Sequence, residues 1–105
     1  MVKYVSIFKL KAGADAEETD RVWMHEHVPY VKEVMSPELT SYVVGKVVHD
    51  MTEGETFYGS VQLGFRSLED AKRAWDRMLA KPPDRFYECI TDIRRVIIEE
   101  TDVFT

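Results

Sequence analysis

The sequence predicts an α+β fold in the order β-α-β-β-α-β, a four-stranded antiparallel sheet with two main helices on one face. Three observations carry this. Val2 to Leu10, Leu39 to His49, Phe57 to Phe65 and Arg95 to Phe104 are rich in β-branched and aromatic residues, as strands are. Asp15 to about Met35 and Ser67 to Leu79 carry apolar residues at helical spacing. Asp50 to Thr56, D-M-T-E-G-E-T, is a short polar link between the second and third strands, which makes those two a hairpin.

Taken in order, the first strand has Tyr4, Ser6, Phe8 and Leu10 on one parity and Val5 and Ile7 between lysines on the other. Apolar content on both parities predicts cover on both sides. After the Lys11-Ala12-Gly13-Ala14 turn, Asp15 with Glu18 three residues on reads as a helix N-cap pair. That helix stops at Ser36-Pro37. The second strand carries Gly45 as a candidate bulge or close-packing point. In the third, Phe57, Gly59, Val61, Leu63 and Phe65 oppose Tyr58, Ser60 and Gln62. Ser67 caps the second helix, whose expected buried stripe is Leu68, Ala71, Trp75, Met78 and Leu79. Pro82-Pro83 ends it. Asp84 to Ile93 reads as a short extra helix with Phe86, Ile90 and Ile93 inward. Right-handed crossovers on this order give the ferredoxin-like arrangement. Nothing in the chain is left to cover the second sheet face, so a homodimer is expected.

At 105 residues the chain is expected to form one domain over 1–105. A net charge of −5 without a basic stripe argues against nucleic-acid binding. Cys89 is the only cysteine, which fits a reducing compartment. The lysine-interrupted start does not resemble a signal peptide, and no apolar run is long enough for a membrane. Cytoplasmic localisation is the expectation. No phosphate-cradling glycine loop occurs, and H-E-H at 25–27 is not the H-E-x-x-H of zinc proteases. No cofactor and no metal are therefore expected.

The densest polar chemistry lies in Trp23 to Met35, W-M-H-E-H-V-P-Y-V-K-E-V-M. Trp23, His27, Tyr30, Val31 and Val34 share one helical face, so His27 points inward, while His25 lies about 200° around the axis. Pro29 removes the hydrogen bond to the carbonyl of His25, and the resulting kink is expected to open a cavity beside His27. A half-buried imidazole moves protons near neutral pH, from carbon next to a carbonyl or from a phenol. Tyr4, Ser6, Tyr42, Tyr58, Ser60 and Gln62 are strand groups able to orient a carbonyl or phenolate, with Tyr30, Trp23 and Trp75 as wall candidates. The pattern leaves open which strand parity faces the helices. His49 beside Asp50 reads as a loop residue, and Cys89 as an inert thiol.

With these residues in view, the chain resembles the EthD-like family of the dimeric α+β-barrel superfamily. The resemblance rests on the opening strand, Trp23 with His27-Val28-Pro29, Leu39 to Tyr42, Phe65 to Ala71 with Trp75, and the closing acidic strand with Glu99-Glu100. It implies two sheets paired face to face, a cleft between each sheet and its helices, and His27 as the functional histidine. Haem-degrading members of the superfamily use an asparagine and a second-helix histidine; this chain has no asparagine and no histidine after His49. Two functions follow as expectations. One is a cofactor-free enzyme of isomerase, cyclase, dehydratase, decarboxylase or oxygenase type, acting on a hydrophobic carbonyl, lactone or phenolic metabolite through His27. The other is a non-catalytic binding or accessory protein of a degradative pathway.

Overall fold

The computed structural model describes residues 1–54 and 56–104. Glu55, within the expected polar turn, and Thr105 lie outside the described residues. Strands β1 (Val2–Leu10), β2 (Ser41–Lys46), β3 (Phe57–Phe65) and β4 (Ile90–Glu99) form one sheet in the order β2-β3-β1-β4, every neighbour antiparallel. That order is the ferredoxin-like one. Helices α1 (Ala16–Val22) and α2 (Val28–Met35) are joined by a π-helical turn, Trp23–His27. Helix α3 (Leu68–Leu79) follows β3, and a single 3₁₀ turn, Arg85–Glu88, precedes β4.

Both expected caps form. The Asp15 carboxylate accepts from the Glu18 N–H at 3.0 Å, and Ser67 Oγ accepts from the Asp70 N–H at 3.1 Å. Register settles the sheet faces. Tyr4, Ser6 and Phe8 lie opposite Leu63, Val61 and Gly59, and this set is buried under the helices. At the core's centre, the fully buried Trp23 ring packs 5.3 Å from Phe8 and stacks at 5.5 Å on Phe86. Gly59 makes room for it: a Cβ there would fall 2.5 Å from Trp23 Cη2. An aromatic so enclosed contributes about 3–5 kcal/mol against truncation to alanine.

Four expectations are corrected. The first helix runs without a gap but changes register: the Val28 N–H reaches back five residues to the Trp23 carbonyl, and Pro29 sits in the first turn of α2, where its missing N–H costs least. The second strand is shorter than Leu39–His49, because β2 is an edge with only β3 to pair with and β3 slips in register near Tyr58. The extra helix shrinks to Arg85–Glu88 and the last strand moves from Arg95–Phe104 to Ile90–Glu99. Here β1 decides: Leu10 offers a partner to Ile90, whereas Val2 already pairs with Glu99 and nothing of β1's ladder remains for residues 101–104. Finally, α3 buries Ala71, Ala74 and Met78, while Leu68 and Leu79 at its two ends are exposed.

Candidate functional site

The π-helical turn brings His27 against the segment that follows α3. His27 is buried, its ring 4.6 Å from Phe86 and edge-on to Tyr87 at 5.4 Å. Its Nδ1 lies 2.7 Å from Asp84 Oδ2, across 57 residues of sequence. With Asp84 accepting, Nδ1 carries the proton and Nε2 is left as the basic nitrogen. The adjoining residues repeat the link: Arg85 Nε donates to Glu26 Oε1 at 2.7 Å. That guanidinium holds the Glu26 carboxyl below its ordinary pKa, and Glu26 raises that of Arg85 in return. Two consecutive pairs thus fasten the 84–88 segment to the π-helical turn.

A cavity of about 680 Å³ is lined by Tyr30 and Asp84 but by neither His27 nor Pro29, so it does not open directly on the imidazole as expected. Trp75, Met78 and Leu79 of α3 form one wall and Tyr30 of α2 another. Tyr4 and the β4 residues Arg95 and Ile97 form the floor, with Lys81 to Asp84 and Tyr87 at the rim. The cavity is mostly apolar, with a few convergent polar groups, as ligand sites usually are. A small inner void of about 30 Å³ shares Tyr4, Trp75, Tyr87 and Arg95 with it and adds Ser6 and Tyr42.

Burial raises the Tyr4 phenol above its ordinary pKa, with Ser6 and then Arg95 opposing. Burial also raises Tyr87, reinforced by Tyr4, and raises Tyr42, reinforced by Tyr87, Asp84 and Tyr4. All three therefore stay protonated at neutral pH and can donate to a ligand oxygen. Trp75 Nε1 and Asp84 Oδ1 are buried without a hydrogen-bond partner. A buried polar atom in that state carries a desolvation cost with nothing in return.

Of the residues singled out in the sequence, Tyr4, Tyr30 and Trp75 line the large cavity, and Ser6 and Tyr42 the inner void. Trp23 and Tyr58 line neither: Trp23 is core, and the Tyr58 hydroxyl is spent on Asp20 and on the Ala16 carbonyl. Gln62 and Ser60 belong to the sheet's other face, opposite Val5 and Ile7. His27 itself lines neither space; Asp84 stands between it and the cavity. Asp84, Tyr87 and Arg95 went unrecognised. Pro82-Pro83 was the one local signal, because a doubled proline ends the helix and opens a loop in which Asp84 lies. Among the described residues, no three His, Cys, Asp or Glu side chains gather where a metal would be held, and no helix is long and apolar enough to cross a membrane.

No protein-family model matches this sequence, and no curated protein matches it in sequence. Solved structures do match in shape. An ethyl tert-butyl ether degradation (EthD) family protein from Bacillus halodurans is similar with a TM-score of 0.74 and 21% identity, over 96% of this chain and 99% of the other. An EthD-like protein from Ralstonia eutropha gives 0.64 and 20%, over 92% and 87%. A dimeric protein of unknown function and ferredoxin-like fold from Bacteroides fragilis gives 0.53 and 21%, over 94% and 95%. At these identities the likeness speaks to architecture, and the chain is a ferredoxin-like α+β protein of the same fold as these EthD structures.

Proposed function

We propose that this protein is a cofactor-free proton-transfer enzyme of the EthD-like family, acting on a hydrophobic carbonyl, lactone or phenolic metabolite held between α3 and β4. One observation carries the reading: the 2.7 Å contact of His27 with Asp84, the only carboxylate on the cavity wall among the described residues. The pair is the acid–base unit, with Asp84 presented to the ligand and His27 fixing it from behind. It removes a proton from carbon next to the carbonyl, the Tyr4 and Tyr87 hydroxyls donate to the oxygen that gains charge, and the proton returns at a second position. Such a cycle isomerises, or sets up cyclisation or elimination, without consuming a co-reactant. Family membership is supported by Trp23, His27-Val28-Pro29 and the Phe65 to Ala71 segment, together with the shared fold. The homodimer belongs to the same reading. Val5, Val43, Val96 and Ile98 share the uncovered sheet face, and the Bacteroides fragilis neighbour is dimeric.

A binding or accessory role is the second reading, favoured by His27 lining neither cavity and by its engagement with Asp84. Screening lactones and phenolic ketones for turnover separates the two. For an enzyme, His27→Gln and Asp84→Asn each lower the rate by ~10²-fold or more while binding persists. Binding without turnover of any compound by the wild type would leave the accessory role.

A further inference from the structure

We infer that the cavity selects ligands bearing a carboxylate, with Arg95 as the residue that recognises it. The inference rests on the α3–β4 cavity being the ligand site and names the chemical class it takes.

The first support is the register of β4. Ile90 pairs with Leu10, and Thr91 with Lys9, but Arg94 pairs with Ile7 and Arg95 with Ser6. Between them β4 carries one residue more than β1, a bulge marked by Asp92 at φ 52°, a left-handed conformation that aspartate tolerates. In an unbroken ladder Ile90 would share its face with Arg94, Val96 and Ile98. The bulge reverses the parity and turns Arg95 and Ile97 to the helix side instead. An arginine has thus been turned away from the open sheet face and into the cavity.

The second support is charge. The cavity wall carries Lys81, Arg95 and Asp84, two cations against one anion, on a chain whose net charge is −5. Asp84 is taken by His27, and among the described residues no carboxylate pairs with Arg95. Its guanidinium instead lies over the Tyr87 ring, 6.0 Å from the centroid. Most other arginines here, Arg21, Arg73, Arg77 and Arg85, each hold a glutamate or aspartate. A planar guanidinium without a carboxylate, set among the Tyr4 and Tyr87 hydroxyls at an apolar wall, matches a bidentate carboxylate on a hydrophobic body.

The test compares 2-naphthoate with its neutral isostere 2-naphthamide, by calorimetry and quenching of tryptophan fluorescence. The wild type should bind the acid at least about tenfold more tightly than the amide, as a charge-assisted pair implies. Arg95→Met should bring the acid down to the amide's affinity and leave the amide unchanged, while Arg95→Lys keeps part of the preference. Lys81→Met, at the cavity rim, should keep most of it. Equal binding of acid and amide by the wild type would overturn the inference, as would a preference that survives in Arg95→Met or vanishes in Lys81→Met. In those cases binding of the amide leaves the cavity reading standing. If neither probe binds the wild type, the cavity reading and this inference fall together.

Discussion

The link between His27 and Asp84 can be tested without knowing any substrate, through a double-mutant cycle on stability. His27→Phe keeps an aromatic ring against Phe86 and Tyr87 but removes the Nδ1 donor. Asp84 then holds two unpaired oxygens, since Oδ1 already lacks a partner. Stranding a fully buried charge costs about 3–5 kcal/mol. The Asp84 side chain is 21% exposed, so water recovers part of this and about 2–3 kcal/mol is expected. Asp84→Leu strands only one imidazole N–H, for about 1–3 kcal/mol. The double variant removes both polar groups and should cost less than either single change, giving a coupling of at least about 2 kcal/mol. Urea titrations at neutral pH read this from midpoints, provided the slopes agree. Single costs that sum to the double within ~0.5 kcal/mol would refute the pairing on which the site is built.

Two further outcomes follow from other parts of the molecule. The Glu38 carboxyl is lowered to about 2, chiefly by its hydrogen bond from Arg77. A depressed folded-state pKa stabilises above the unfolded value of 4.5, and that contribution fades as pH falls towards about 2. The wild type should therefore lose more of its urea midpoint over that interval than Glu38→Gln does; parallel curves would contradict it. Gly59→Ala should destabilise by about 1–3 kcal/mol, because the new methyl would meet the immobile Trp23 ring at 2.5 Å. An unchanged midpoint would show that the indole has somewhere else to go.

Local pattern carried much of the architecture. Both helix caps, the β-α-β-β-α-β order and the inward face of Trp23, His27, Val31 and Val34 are legible because each depends on residues within a few positions of one another. The same locality explains the error at residues 84–104. Phe86, Ile90 and Ile93 fit a helical spacing, and it is pairing with β1, a contact far away in sequence, that makes residues from Ile90 onward a strand. Likewise Leu68 and Leu79 sit on the apolar stripe of α3, yet at the helix ends both are exposed.

What the sequence determined by itself is the set of elements and their order, because hydrophobic periodicity and caps act within one segment. What the tertiary structure alone decided is the chemistry of the site. His27 meets Asp84 across 57 residues, Arg95 enters the cavity only through the bulge at Asp92, and the cavity is lined jointly by residues of α2, α3, β1 and β4. None of these is a property of one segment. Each arises from how separate segments pack, and a strand's periodicity shows which residues share a face without showing which face meets the helices.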